Sequence, residues 1–316
     1  MYDIDSRPGT SYGRGLLILL GSVFIGGFLG AVLSAGIWLL MTGQSLQTMQ
    51  LALGDPAYTN AFRVLQVVSS FTLFFVPSVI MAYVLNKKPF KFLGFNFHFS
   101  PRQVILTILI VVASVPLVGA LGELNKMIPL SQGLETYFKK LEADYAEQVK
   151  AMAKINTFGD YLMALLIMAG SAAVFEEIFF RGALQNLLQR ISRNPWISIG
   201  VSSIIFSAIH LSFYGFLPRV ALGVVLGLFF HYTGSLWLSI LGHVVQNFMV
   251  VTQVYIYQKQ GKSVEDAMNE TLPLWWGLVG LVLVVMLFRY YRKNAAEDRK
   301  TRVPAETVAL EDKWMT

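Results

Sequence analysis

Cysteine is absent from the 316 residues. That excludes disulfides, thiolate nucleophiles, thiol redox chemistry and any cysteine-ligated metal site. A metal would have to be held by His, Asp or Glu, and only four histidines are present. Charge is scarce as well: Asp, Glu, Lys and Arg make up 14% of a chain that is 55% hydrophobic with a mean hydropathy of +0.56. So little charge on so apolar a chain excludes an ordinary soluble domain. The formal net charge of +6 would suit nucleic acid only if it were gathered on one module. Here Lys and Arg stand at the ends of apolar segments, so no nucleic-acid partner is expected.

What the chain does contain is a series of apolar runs approaching or exceeding the roughly 20 residues that cross a hydrocarbon core about 30 Å thick. The expected fold is an all-α polytopic membrane protein with about eight transmembrane helices, near 15–41, 62–85, 103–121, 158–188, 196–213, 219–232, 235–257 and 273–290. The first run, Gly15–Met41, is too long for the short apolar core of a signal peptide and reads as a retained anchor. Pro77 and Pro116 fall inside spans and predict kinks. Trp275 and Trp276 at one end of the last span, with Tyr290 and Tyr291 at the other, predict aromatic belts. The polar tail 292–316 is expected to be mobile and solvated.

Orientation follows from the excess of Lys and Arg in cytoplasmic connections. With both termini inside, sixteen of the 25 basic residues fall on the inner side. The connection 122–157 carries Leu134, Phe138, Leu141, Tyr145, Val149 and Met152 at spacings of three and four between charged residues, the pattern of an amphipathic helix in the outer interface. It is expected to act as a brace, with gating of a substrate as the alternative. The chain divides into a three-span region with its amphipathic connection (1–157), a four-span core (158–257), and a last span with its tail (258–316).

A charge at the bilayer centre costs about 2.5–3.5 kcal/mol on insertion scales, so ionisable residues within spans are functional candidates. Three stretches qualify. In 176-EEIFFR-181, Glu177 and Arg181 are four apart and form a favourable helical pair. Glu176 then points about 100° away at helical periodicity, without that partner, where it could serve as a proton acceptor. A salt bridge at the inner end of a long helix is the competing reading. In 206-FSAIH-210, His210 lies two-thirds along the fifth span with Phe206 one turn earlier, positioned to fix its ring; a buried core histidine is the alternative. In 243-HVVQN-247, His243 and Asn247 share a helix face and could donate to a developing oxyanion, or act as interhelical polar glue. Gln246 and Ser207 are candidate neighbours in the same cavity, while His98 and His231 read as structural or interfacial. Together the three stretches supply complementary hydrolytic roles.

In that order on successive apolar segments, EExxxR, FxxxH and HxxxN resemble the CPBP or Abi family of intramembrane proteases, which includes the type II CAAX prenyl endopeptidases. The matching core is about 158–257. The resemblance implies that Glu176 activates a water with help from His210, that His243 and Asn247 stabilise the tetrahedral oxyanion, that Glu177 and Arg181 hold the site together, and that Phe206 supports His210. It implies an endopeptidase acting near the cytoplasmic side on a membrane-associated peptide or lipidated protein, among membrane lipids, in a bacterial inner membrane or its equivalent.

A metal-free, glutamate-dependent reaction is expected, since none of the four histidines begins an HExxH helix. The zinc alternative would use Glu176, His210 and His243 as ligands. A serine protease is excluded by the lack of GxSxG. An aspartyl dyad is excluded because Asp160 is the single Asp between 145 and 265. The readings from other classes are a proton-coupled transporter, since Glu/His chains also relay protons in membranes, and a non-catalytic immunity or scaffold protein of the same fold.

Overall fold

The computed structural model describes residues 5–53, 55–264 and 273–302. Among the described residues, seven helices are long and apolar enough to cross a membrane: α1 (Tyr12–Thr42), α2 (Thr59–Leu85), α3 (Pro101–Lys126), α5 (Phe158–Ser192), α7 (Phe216–Thr233), α8 (Leu236–Lys259) and α9 (Trp275–Arg302). Between them stand α4 (Gln132–Met152) and the short apolar α6 (Pro195–Ala208). Among the described residues there is no sheet, only an isolated bridge between Ser6 and Asn86.

Two expectations change at this level. The fifth segment is shorter than its apolar run suggests. Its 14 residues rise about 21 Å at 1.5 Å each, short of the roughly 30 Å core. The helix stops at Ala208 because the chain turns at 209–215, with Leu211 in the left-handed region (φ 51°). The last helix, by contrast, continues to Arg302, well into the segment expected to be a mobile tail. The remainder of that tail, 303–316, lies outside the described residues.

Local chemistry sets the helix ends. Ser11 accepts the Arg14 N–H at the start of α1, and Gly43 ends the helix at φ 66°, a conformation glycine adopts without a Cβ penalty. Ser100 and Gln103 form a capping box ahead of α3, with Pro101 at its first turn, and Thr157 and Asp160 do the same for α5. Asn194 caps α6 through the N–H groups of Trp196 and Ile197.

Small residues set how closely the helices approach. A Cβ on Gly280 of α9 would meet Leu117 N of α3 at 2.8 Å, and one on Gly223 of α7 would meet Ser203 of α6 at the same distance. Close packing of this kind is what associates helices where lipid removes the hydrophobic drive. Outward faces are apolar: Leu17, Phe24, Phe28 and Leu40 of α1 are each at least 67% exposed. Of the aromatic residues expected in belts, Trp275, Trp276 and Tyr290 are exposed, whereas Tyr291 is fully buried against Phe229 and Phe288 and so cannot belong to one.

Hydrogen bonds define two ends of the bundle. At one, Asn186 of α5 donates to Phe92 O (2.6 Å), Arg190 to the Tyr12 hydroxyl (3.0 Å), the Leu236 N–H to Gly94 O (2.8 Å), and Asn96 to Gly234 O (2.7 Å). At the other, Arg63 donates to Met152 O and Lys154 O (both 3.0 Å), the Leu217 N–H to Asn125 Oδ1 (2.8 Å), and the Ile155 N–H to Gln258 Oε1 (3.0 Å). The first is the basic end, with Lys87, Lys88, Lys91, Arg190 and Arg193.

Candidate active site

The two glutamates sit midway along α5, which is not uniformly α-helical. Residues Leu165–Ser171 and Ile178–Gln185 are π-helical, flanking the α-helical stretch Ala172–Glu177. Wider turns loosen the regular carbonyl pairing and are frequent at functional sites. Here Asn247 of α8 donates to Met168 O, inside the first π segment, at 3.3 Å.

The expected pair is present: Arg181 Nη1 donates to Glu177 Oε1 at 2.7 Å, with side chains 1% and 0% exposed. Its surroundings go beyond the sequence expectation. His243 Nδ1 lies 2.9 Å from the same Glu177 oxygen, and Arg181 Nη2 donates to Gly223 O at 3.1 Å. Glu177 thus joins α5 to α8, and Arg181 joins α5 to α7. Glu176 does not take part in the Arg181 pair, but neither does it stand alone, since its Oε2 is 3.9 Å from His243 Nε2. One imidazole therefore faces both carboxylates, one from each ring nitrogen.

Phe206 is the common wall. Its ring, 2% exposed, has the Arg181 guanidinium carbon 4.9 Å from its centroid, the His210 ring at 5.3 Å and the His243 ring at 5.7 Å, both edge-on. The support expected for His210 is thus extended to three polar side chains. His210 itself lies two residues past the end of α6, in the turn, rather than two-thirds along a span. Its Nδ1 is 2.8 Å from Phe206 O. A carbonyl only accepts, so Nδ1 carries the proton and Nε2 is left as a lone-pair acceptor.

These groups meet at a cavity of about 530 Å³. Glu176, His210, His243 and Asn247 all line it; Glu177, Arg181 and Phe206 do not. Glu176 reaches the cavity while Glu177 is sealed behind it, the same division that helical periodicity suggested. Of the two further candidates, Ser207 spends its hydroxyl on Phe216 O (2.7 Å), and neither Ser207 nor Gln246 lines the cavity. His98 is exposed and His231 packs on Tyr232, both away from the site.

The sequence reading missed the roof. Leu141, Asp144, Tyr145, Gln148, Val149 and Met152 of α4 line the same cavity, with Gln66 of α2. The apolar stripe of this helix was visible, but what it covers was not. Helix α4 is fastened to the turn bearing His210: Ser212 Oγ donates to Glu142 Oε2 (2.7 Å), Phe138 stacks on Phe213 (4.5 Å), and Arg219, which donates to Ser212 O, lies 5.4 Å over the Tyr145 ring. Burial pushes the Tyr145 phenol above its ordinary value, so the hydroxyl keeps its proton. The cavity also adjoins a second one through Gln66, Gln148 and Met152.

On every contributing span the lining runs from the polar cluster toward the end opposite the basic one: from Glu176 to Met168 on α5, and from His243 to Val251 on α8. Cleavage near the cytoplasmic side would therefore require the α4 end, away from the basic one, to face the cytoplasm. Among the described residues no three His, Asp or Glu side chains converge closely enough to hold a metal ion.

Residues 158–249 match the family model of the type II CAAX prenyl endopeptidase Rce1-like domain. The match supports a CAAX-type intramembrane endopeptidase in general, and it spans all three motifs. Comparison with curated proteins and with solved structures gives no match.

Proposed function

We propose that this Rce1-like domain hydrolyses a peptide bond of a membrane-associated substrate, a prenylated CAAX-like protein or a leader peptide, in the cavity under α4, by a metal-free reaction centred on Glu176. The observation that carries the proposal is the division between the two glutamates: Glu177 is fully buried and bonded to Arg181 and His243, while Glu176 opens on the cavity.

The chemistry follows from charge balance. Arg181 offsets one carboxylate, and a second cation is needed if both glutamates are ionised in a low-dielectric interior. His243 supplies it when protonated, since Nδ1–H then donates to Glu177 and Nε2–H faces Glu176 and the cavity. Glu176 takes a proton from a water that the His210 Nε2 helps to orient, and the resulting hydroxide attacks the scissile carbonyl carbon. The oxyanion accepts hydrogen bonds from His243 Nε2–H and Asn247 Nδ2. The C–N bond then breaks, and the proton held by Glu176 passes to the leaving amine, giving a carboxylic acid and an amine; the acid's proton passes to the amine or back to Glu176 as the products leave. Tyr145 and Gln148 offer the roof's polar contacts to the peptide backbone, which in a membrane has no water to satisfy it.

The test is cleavage of a membrane-presented peptide by purified protein. Glu176→Gln and His210→Ala should each abolish cleavage while leaving folded protein in detergent. Retained cleavage in Glu176→Gln would overturn the glutamate reaction, and activity lost to a chelator and restored by zinc would overturn its metal-free character. Proton-coupled flux in proteoliposomes that is lost in Glu176→Gln, with no peptide cut by any variant, would replace the peptidase reading with transport.

A further inference from the structure

We infer that the cavity opens on the non-cytoplasmic face of the membrane, so that the substrates are exported, membrane-anchored peptides or protein segments presented on that face. The substrate class rests on the peptidase reading above; the sidedness does not.

The geometry gives the direction. Toward the basic end the polar cluster is closed by a continuous apolar core that includes Phe180, Leu184, Leu187, Leu93, Leu236 and Ile240. Away from it, the cavity lining continues along α5 and α8 up to α4 and the turn at 209–211. Among the described residues, the cavity therefore extends along the bundle axis toward the α4 end, beneath α4, and not toward the basic end.

Charge gives the side. The connection 86–100 holds Lys87, Lys88 and Lys91, and Arg190 and Arg193 flank the turn between α5 and α6. At the α4 end the short connections 43–58, 127–131 and 209–215 contain no Lys or Arg, and 153–157 holds only Lys154. The lysines of α4 stand among acids, with Lys139 paired to Glu135 and Lys150 to Glu147. Short connections rich in Lys and Arg are retained in the cytoplasm, so the basic end is inside and α4 is outside. Of the two substrate kinds proposed above, a prenylated motif held in the cytoplasm would meet the closed apolar end, whereas an exported precursor would reach the cavity, so the inference narrows the proposal to the leader-peptide kind.

The absence of native cysteine makes the test direct. Lys140→Cys on α4 and Lys91→Cys at the basic end are both exposed, and neither belongs to the catalytic cluster. In intact cells a membrane-impermeant maleimide should label Lys140→Cys before permeabilisation and Lys91→Cys only afterwards. The reverse order would overturn the inference. In cells carrying active or Glu176→Gln protein, the membrane-protein termini that differ should lie on the non-cytoplasmic side, and cytoplasmic cut sites would overturn the substrate class. Outward labelling of Lys140→Cys with no differing terminus would support the sidedness and refute the peptidase reading, which separates the two claims.

Discussion

Removing the guanidinium of Arg181 gives the sharpest structural test of how the site is held. Arg181→Met keeps the apolar stem but leaves the Glu177 carboxylate, whose side chain is fully buried, with His243 as its one remaining partner. It also removes the bond to Gly223 O and the guanidinium packed 4.9 Å from Phe206. Breaking a buried pair by deleting one partner typically costs about 3–5 kcal/mol, which is about two to three and a half decades in the folding equilibrium. Removing both charges in Glu177→Gln/Arg181→Met should cost clearly less than Arg181→Met alone, because no ion is then left unpaired. Unfolding in mixed micelles with rising SDS would measure both. A single variant within about 1 kcal/mol of the parent, or a double variant whose loss equals the sum of the two singles, would refute the reasoning, since contacting groups in one network are expected to couple.

Other consequences can be checked together. Asn247→Ala should lower kcat by about 10²–10³-fold, the usual cost of one oxyanion donor, with KM little changed. Phe206→Ala should destabilise by about 3–5 kcal/mol, the range for a buried aromatic, and should abolish peptide cleavage because His210 and His243 lose their shared wall; SDS unfolding and cleavage read the two effects separately. Gly26→Leu should separate α1 from α2, because even a Cβ at that position runs into the Thr72 carbonyl oxygen; a loss of about 1–3 kcal/mol is expected from overpacking, read by the same unfolding assay.

Much of the architecture was legible in the sequence because span length and apolar composition are local properties. The Glu177–Arg181 pair was legible for the same reason: four residues along a helix bring two side chains together whatever lies beyond. The position of His210 was not, because the apolar run 196–213 continues through a turn, and hydropathy does not register that Ala208 is the last helical residue. The bond from Glu177 to His243 was hidden because it joins side chains 66 residues apart. The two π segments of α5 are hidden because apolar composition does not distinguish a π turn from an α turn. The role of α4 was half visible: the spacing of Leu141, Tyr145, Val149 and Met152 predicts one apolar face, but only the packing shows that this face roofs the cavity holding Glu176.

The central claim is that the one carboxylate facing the cavity performs hydrolysis while its sealed neighbour holds the site in shape. The most direct measurement is a comparison of membrane-protein termini in cells expressing the parent chain and the Glu176→Gln variant at equal levels. A set of termini present with the parent and lost with Glu176→Gln is the predicted result. Identical termini in the two would contradict it.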